Sequence, residues 1–147
     1  SSLRPMARIL LTGGAGFIGS HVAQSLLARG DRVTVLDNFN DFYDPRLKRR
    51  NLAHLRQAEL VEGDIRDAAL LERLFSSGRF DGVIHLAAMA GVRPSLKDPL
   101  HYEDVNVRGT LLILEQLRRR PETRFVFASS SSVYGANDRV PFSEVDD

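Results

Sequence analysis

Three glycines spaced three residues apart form the part of this chain best suited to bind a phosphate. Gly13, Gly16 and Gly19 lie in the segment T-G-G-A-G-F-I-G, which follows the apolar residues 9–11 and opens an amphipathic stretch. The first glycine would permit a sharp turn from strand to helix, the second would let the backbone approach a pyrophosphate, and the third would let the helix pack closely against the strand. Because a helix N-terminus also presents free N–H groups and a partial positive charge, the spacing predicts a dinucleotide site.

The elements around this turn support the interpretation. Apolar residues recur at helical spacing over residues 17–29, and Gly30 is placed to end that helix in a left-handed conformation. A second strand is predicted over residues 32–36 and is followed by Asp37. A carboxylate at that position would accept hydrogen bonds from an adenosine ribose and repel a 2′-phosphate, which predicts NAD rather than NADP. The alternative is that Asp37 only caps a turn.

Strands and helices continue to alternate after Asp37. The pattern predicts a loop over residues 38–45 and strands over residues 59–62, 82–86 and 124–128. It predicts helices over residues 46–57, 67–76 and 100–120. This alternation is typical of an α/β fold with a doubly wound parallel sheet and helices on both faces.

Composition narrows the classes of function. The 147 residues suit one domain with a real core, and the formal net charge of +1 gives no field that would attract nucleic acid or a membrane surface. The absence of cysteine excludes disulfides, thiolate catalysis and cysteine zinc sites. We interpret residues 1–5 as a cloning remnant and residues 6–147 as one domain in a cytoplasmic protein, without nucleic-acid or membrane partners.

Four further motifs follow the glycine turn and Asp37 in order. They are G-D-I-R-D at 63–67, H-L-A-A at 85–88, V-N-V-x-G-T at 105–110 and S-S-S-S-V-Y-G at 129–135. Together the six features resemble the N-terminal part of an extended short-chain dehydrogenase/reductase, in the NAD-dependent nucleotide-sugar epimerase/dehydratase family. Within it, residues 37–48, 90–95 and 141–144 are most similar to UDP-glucuronate 4-epimerases. The resemblance implies a Rossmann-like domain and C4 epimerisation of a UDP-sugar, with UDP-glucuronate as the expected substrate.

The resemblance also implies which residues would contact NAD. The pyrophosphate would meet Gly13, Gly16, Phe17, Ile18 and Gly19, and the adenosine ribose would meet Asp37 and Asn38. Asp64 and Ile65 would flank the adenine, and Leu86, Ala87 and Ala88 would lie beneath the pyrophosphate and the nicotinamide ribose. Asn106 would hold together the helix and strand that frame the active site.

The serine run carries the candidate catalytic positions Ser130, Ser131 and Ser132. Ser130 matches the hydroxyl residue that binds the sugar 4-hydroxyl in this family. Sugar dehydratases of the family place Asp and then Glu immediately after it, where this chain has Ser131 and Ser132. Serine hydroxyls cannot do general acid–base work near neutral pH, so epimerisation is favoured over dehydration. The alternative is that the run is only a polar strand end.

The family's Tyr-x-x-x-Lys pair does not occur in these 147 residues. The residues four positions after Tyr43, Tyr102 and Tyr134 are Leu47, Asn106 and Asp138. In the family this pair follows the catalytic hydroxyl by twenty residues or more. We therefore expect the chain to be an N-terminal part, truncated before the pair and the substrate-binding region, that binds NAD weakly at best and does not turn over.

Other residues leave alternatives open. Arg93 and Ser95 are candidate substrate contacts, and residues 100–120 are the candidate helix for a homodimer. His85 is interpreted as a packed histidine, and His21, His54 and His101 lack ligand spacing, so no metal site is expected. The basic residues Arg46, Lys48, Arg49 and Arg50 form either a solvated helix face or a contact to adenosine.

Three other functions compete with an epimerase. A non-catalytic NAD sensor or scaffold would keep the glycine turn and lose the tyrosine, and a dehydratase or decarboxylase of the same family would share most of the motifs. A methyltransferase also begins with a glycine-rich turn and an acidic residue, but it does not account for the motifs at 105–110 and 129–135.

Overall fold

Five parallel strands form the sheet of the protein, in a computed structural model that describes residues 6–39, 44–53, 55–136 and 138–145. The strands are β1 (Arg8–Thr12), β2 (Arg32–Asp37), β3 (Glu59–Glu62), β4 (Gly82–His85) and β5 (Arg124–Phe127). Their order is β3-β2-β1-β4-β5, with every neighbouring pair parallel. The chain therefore runs outward from β1 in one direction, returns to β4, and runs outward in the other direction. This arrangement confirms the doubly wound fold predicted from the sequence.

The helices lie between the strands in chain order. They are α1 (Phe17–Ala28), α2 (Pro45–Ala53), α3 (Ala68–Gly78), α4 (Val92–Lys97), α5 (Pro99–Glu103) and α6 (Gly109–Arg118). A π-helical segment, Asp104–Arg108, joins α5 to α6, and a short 3-10 helix, Ser131–Tyr134, follows β5. Among the described residues, no helix is long and apolar enough to cross a bilayer.

Alternate residues of β1 face two separate apolar cores. Leu10 packs in a cluster with residues of α3 and α6, such as Phe75 and Ile113. Its neighbours Ile9 and Leu11 belong to the opposite cluster, which includes Leu26 of α1. Because strand side chains alternate between faces, helices must cover both faces of the sheet. The prediction of helices on both faces is confirmed.

The end of α1 follows the predicted glycine stop. Gly30 has φ +92°, a left-handed conformation that glycine adopts at no steric cost. Its N–H donates to the Leu27 carbonyl at 3.0 Å, and the Asp31 N–H donates to the Leu26 carbonyl at 3.0 Å. This is the paired hydrogen bonding of a Schellman motif, which satisfies carbonyls that the helix itself leaves open.

Two helix predictions differ from the structure, and one helix is not predicted. The helix predicted over 46–57 ends at Ala53, and residues 55–58 form a turn that buries Leu55. Helix α4 is missed in the sequence because Pro94 normally argues against a helix, yet it lies in the first turn, where an N–H is not needed. The helix predicted over 100–120 begins earlier, at Pro99, after Asp98 has capped it through the His101 N–H, and it contains the π segment.

Candidate functional site

The carboxyl ends of β1, β2 and β4 bring the glycine turn and Asp37 to one edge of the sheet. The strand order reverses between β1 and β4, because the chain leaves them toward opposite sides. In open α/β sheets, such a reversal leaves a crevice beyond the strand ends, and ligands bind there. The glycine turn follows β1 directly, so it lies at this crevice.

The turn requires glycine at its first position for two reasons. Gly13 has φ +72°, and its N–H donates to the Leu36 carbonyl at 2.9 Å. A Cβ at Gly13 would lie 2.8 Å from the Ala87 nitrogen and 2.9 Å from the Leu86 carbonyl carbon. The backbone after β4 therefore passes directly against the turn.

Gly19 brings helix α1 against the turn itself. A Cβ at Gly19 would lie 2.7 Å from Gly14 Cα and 2.9 Å from the Gly13 carbonyl carbon, closer than real Cβ contacts. The sequence predicts close packing of this glycine against the strand, whereas the structure places its contacts in the loop after the strand. Gly14 is also tightly packed, because a Cβ there would lie 2.6 Å from Cγ1 of Val35. The sequence analysis does not identify this position.

The first turn of α1 opens outward. Gly16 is the N-cap, with φ −75°, and a Cβ there would meet only the Gly13 oxygen, at 3.4 Å. The Ser20 N–H donates to the Gly16 carbonyl at 2.9 Å, so the amides of residues 17–19 precede the first intrahelical bond. Phe17 and Ile18 have exposed side chains, 69% and 67%. An anion can approach this helix end closely.

Asp37 connects the glycine turn to the chain after β2. Its side chain is buried, and Oδ2 accepts from the Ala15 N–H at 3.1 Å while Oδ1 accepts from the Phe39 N–H at 2.9 Å. The contact to Phe39 is the turn cap that the sequence left as an alternative. The contact to Ala15 joins the carboxylate to the phosphate turn as well.

Asp64 is held by an arginine that the sequence analysis does not identify. Arg66 donates from Nε to Oδ1 of Asp64 at 3.0 Å and from a terminal nitrogen to Oδ2 at 2.7 Å. The other terminal nitrogen of the guanidinium donates to Asp104 in the π segment at 2.8 Å. The Arg66 side chain lowers the pKa of Asp64, and a hydrogen bond from the Asn38 side chain acts in the same direction. The carboxylate predicted to face adenine is therefore kept ionised and fixed.

Ile65 and the backbone after β4 line the site differently. The Ile65 side chain is buried in the core, where a Cβ at Gly109 would lie 2.5 Å from its Cδ1, so only its backbone is left to flank a base. Leu86 and Ala87 both donate their N–H groups to Thr12 Oγ1, at 3.1 Å each. These hydrogen bonds hold residues 86–88 against the end of β1. This is the segment predicted to lie under the cofactor.

Asn106 links the π segment to the loop after β4. Its Oδ1 accepts from the Met89 N–H at 2.8 Å, and its Nδ2 donates to the Met89 carbonyl at 2.9 Å. The Asn106 side chain thus satisfies both backbone groups of Met89, as a neighbouring strand would do in a sheet. Met89 is absent from the predicted site, since nothing in the sequence pairs it with a residue 17 positions away.

The serine run begins a short helix at the same edge of the sheet. The Ala128 N–H donates to the His85 carbonyl at 3.2 Å, which extends β5 beside β4. Ser130 is the N-cap of the 3-10 helix, and its Oγ accepts from the Ser132 N–H at 3.2 Å. It also donates to Ser132 Oγ at 3.1 Å, and Ser131 is exposed. The structure keeps these serines together at the carboxyl end of β5, beyond the strand rather than within it.

The candidate substrate contacts lie on α4. Arg93 is exposed, whereas the Ser95 hydroxyl donates to the Val92 carbonyl at 2.6 Å and is used within the helix. Of the two, Arg93 is the side chain left available to a ligand.

The basic residues of α2 separate into two environments. Arg46 pairs with Asp44 at 3.2 Å and is largely exposed. Arg49 lies over the Phe39 ring, 4.7 Å from its centroid, and 3.5 Å from Glu62. Arg49 therefore stands beside the residue that follows Asp37 and Asn38, whereas Arg46 belongs to the solvated face. The side chain of Lys48, like His54, lies outside the described residues.

A glycine turn at the strand reversal, an uncapped helix N-terminus and a carboxylate ending the next strand are arranged to receive a phosphate and an adjoining polyol. With the five-stranded parallel sheet, they define a Rossmann-like, doubly wound α/β protein.

Comparison with known proteins extends this assignment. Residues 10–147 match the family model described as GDP-mannose 4,6 dehydratase, and the chain belongs to that family. It is 52% identical over 141 residues to UDP-glucuronate 4-epimerase 3 of Arabidopsis thaliana, covering 94% of this chain and 33% of the relative. It is 43% identical over 136 residues to UDP-glucose 4-epimerase of Erwinia amylovora, covering 92% of this chain and 40% of the relative. The resemblance to an epimerase/dehydratase family is thus confirmed.

A solved structure agrees with the fold. The crystal structure of UDP-glucose-4-epimerase from Stenotrophomonas maltophila, with bound NAD and formylated UDP-arabinopyranose, superposes with a TM-score of 0.83 at 34% identity. The match covers 95% of this chain and 41% of that one. The chain spans about a third of the length of the UDP-glucuronate 4-epimerases that it matches.

Proposed function

We propose that this chain is the NAD-binding part of a nucleotide-sugar 4-epimerase. The observation that carries the proposal is the hydrogen bond from the Ala15 N–H to Asp37 Oδ2, at 3.1 Å. It joins the phosphate turn directly to the carboxylate expected to hold the adenosine ribose, so the two recognition elements are fixed relative to each other by this bond. The relatives named above are sugar 4-epimerases, and one of them was crystallised with NAD.

The residues present fit a dinucleotide on grounds of shape and charge. A Cβ at Gly16 would meet only the Gly13 oxygen, at 3.4 Å, and the amides of residues 17–19, which precede the first intrahelical bond, lie at the positive end of the helix dipole. Asp37 and Asn38 would bind the adenosine ribose, and the backbone of residues 86–88 would lie below the pyrophosphate. These assignments are predictions for each residue.

Bound NAD would supply the hydride acceptor for transient oxidation of the sugar at C4. The residues of this chain would orient the two partners. Ser130 Oγ, at the end of β5, would hydrogen-bond the sugar 4-hydroxyl, and Asn106 would keep the loop after β4 in place. Ser131 and Ser132 cannot donate a proton to a leaving hydroxyl near pH 7, so the serine run favours epimerisation over dehydration.

We infer that UDP-glucuronate is the substrate. The support is the 52% identity to a UDP-glucuronate 4-epimerase, together with the exposed guanidinium of Arg93 after β4. An arginine can bind a carboxylate through two parallel hydrogen bonds, which a neutral hydroxymethyl group does not offer. The proposal includes a cytoplasmic location, which rests on the composition alone.

A homodimer through the helices after β4 is part of the same proposal. The apolar side chains Val107, Leu111 and Leu114 are 49%, 54% and 40% exposed and repeat at helical spacing. Such a stripe on a helix surface is suited to pack against a second helix. Sedimentation analysis of the full-length protein and of its Leu111→Lys variant tests this, since a lysine in a buried interface would favour the monomer.

Cofactor selectivity tests the cofactor part of the proposal. In Asp37→Asn the repulsive charge is lost, so we expect the ratio of NAD affinity to NADP affinity to fall about tenfold, the scale of one charged hydrogen bond. Isothermal titration calorimetry of the full-length protein and its variants with each coenzyme measures this ratio. Asp31→Asn is the matched control, because Asp31 is also buried, bonds the Ala7 N–H and Arg29, and precedes β2 at the other edge, about 20 Å away. An unchanged ratio in Asp37→Asn would contradict the assignment.

Turnover tests the reaction. NMR analysis of UDP-glucuronate incubated with NAD and the full-length protein should show the 4-epimer, whereas the 147-residue chain, which has no Tyr-x-x-x-Lys, should form none. Formation of a dehydrated or decarboxylated sugar would point to another reaction of the family. Tight NAD binding with no reaction on any UDP-sugar would favour the sensor.

A further inference from the structure

We infer that His85 is a positioning residue for the cofactor groove, acting through Thr12. Neither the motifs nor the family comparison assigns this role, and the sequence treats His85 as a packed histidine. The inference rests on the proposed function only in naming NAD as the occupant of the groove.

The hydrogen bonds around Thr12 determine where its proton goes. Thr12 Oγ1 accepts from the Ala87 N–H at 3.1 Å and shares the Leu86 N–H with the Thr12 carbonyl, at 3.1 Å from each oxygen, so both of its lone pairs are engaged. Its own proton must therefore be donated, and the nitrogen at 2.6 Å is Nδ1 of His85. Nδ1 is consequently an acceptor and carries no proton.

The other side of the ring leads to the same tautomer. Thr110 Oγ1 donates to the Asn106 carbonyl at 2.7 Å, four residues back along the helix. The contact of 2.9 Å between Thr110 Oγ1 and His85 Nε2 must then be donated by the ring. The hydrogen bonds on both sides of the ring assign the proton to Nε2. In the hydrogen-bonded chain Thr12–His85–Thr110–Asn106, every donor then has an acceptor.

The surroundings of the ring keep it in this form. His85 is 2% exposed, and its ring stacks beside Phe125 and Phe127 with centroids 6.4 and 5.9 Å away. Burial lowers the pKa of His85 to about 4. No ionisable side chain is among the described contacts of the ring, so neither Nδ1 nor Nε2 has a charged partner that would favour the doubly protonated form.

The hydrogen-bonded chain sets the floor of the groove against the phosphate turn. Ala87 is bound through Thr12, and its nitrogen lies where a Cβ of Gly13 would be only 2.8 Å away. If the proton of the His85 ring were on Nδ1, the N–H would point at the O–H of Thr12, and the Thr12 hydroxyl would lose Nδ1 as its acceptor. The Thr12 hydroxyl would then turn away from Ala87, while Leu86 kept its bond to the Thr12 carbonyl, and the floor would loosen at Ala87, directly below the turn.

Substitution at Thr110 tests the inference at a distance from the cofactor. Thr110→Val removes the acceptor of the Nε2 proton, whereas Thr110→Ser keeps the hydroxyl and is the matched control. In the full-length protein with ¹⁵N-labelled histidine, we expect the unaltered protein and Thr110→Ser to show the Nε2–H tautomer. Thr110→Val should gain the Nδ1–H tautomer and bind NAD about fivefold more weakly, the scale of one neutral hydrogen bond.

Amide hydrogen exchange gives a readout that does not depend on NAD. The Ala87 amide should exchange faster in Thr110→Val than in Thr110→Ser, with the β1 amides and the Leu86 amide, which the Thr12 carbonyl also binds, unchanged. An Nδ1–H tautomer in the unaltered protein, or equal exchange of the Ala87 amide in the two variants, overturns the inference. Absence of NAD binding in the unaltered protein would refute the proposed function instead, while the tautomer and the exchange rates would still decide the role of His85.

Discussion

Replacing Gly19 with alanine probes the packing that shapes the phosphate turn. The added Cβ would lie 2.7 Å from Gly14 Cα and 2.9 Å from the Gly13 carbonyl carbon. Both neighbours are backbone atoms, so the turn or the whole of α1 must move rather than a side chain rotate. Overpacking of this kind costs about 1–3 kcal/mol, and backbone neighbours place it near the upper end. Alanine recovers about 1 kcal/mol of helix propensity, which leaves a net loss of about 2 kcal/mol in the free energy of unfolding.

Gly16→Ala is the control for this substitution. Gly16 lies in the same turn with φ −75°, and its Cβ would stand 3.4 Å from the Gly13 oxygen, an ordinary contact. Losing glycine at the N-cap should cost only about 0.5 kcal/mol. Gly16→Ala should nevertheless weaken NAD binding, because the new methyl group occupies the open side of the turn. Gly19→Ala should lose both stability and affinity.

Urea unfolding followed by circular dichroism measures the two stabilities, and calorimetric titration of the full-length protein and its variants with NAD measures the affinities. The midpoint should fall for Gly19→Ala with an unchanged slope, and it should hardly move for Gly16→Ala. A Gly19→Ala protein as stable as the unaltered one would refute the claim that helix and turn are in contact at this point. Equal NAD affinity in Gly16→Ala and the unaltered protein would contradict the close approach of a pyrophosphate to Gly16.

Three further changes test other parts of the structure. Lowering the pH from 7 to 5 should remove about 2 kcal/mol from the free energy of unfolding through His85. The unfolded chain protonates this residue below its ordinary pKa of 6.5, whereas the folded chain does so only near 4. Urea unfolding at several pH values measures this loss, which should be smaller in His85→Asn. Asp67→Ala should cost about 1 kcal/mol, since its carboxylate caps α3 through the Leu70 N–H at 3.0 Å, and Asp67→Asn should keep most of it. Arg66→Met should raise the pKa of Asp64, measured by ¹³C NMR titration, because the guanidinium that lowers it is gone.

The sequence alone predicts the fold and the phosphate turn because both depend on local rules. Alternating apolar patterns identify the strands and helices, and parallel strands joined by helices must form a sheet covered on both faces. Gly13 and Gly19 can be recognised because a strand-to-helix turn restricts the backbone within seven residues. Asp37 follows from its place at the end of the second strand. These features need no knowledge of distant contacts.

Only the tertiary structure decides how the rest of the site is held. Arg66 reaches Asp104 across 38 positions, and His85 connects Thr12, 73 positions away, to Thr110. Pairs so far apart leave no periodic pattern in the chain, and a hydrogen bond needs an agreement of distance and angle that only the packed elements provide. The same packing places the Ile65 side chain in the core. It also gives the buried His85 hydrogen-bond partners on β1 and on α6, so that this residue links two strand ends to a helix.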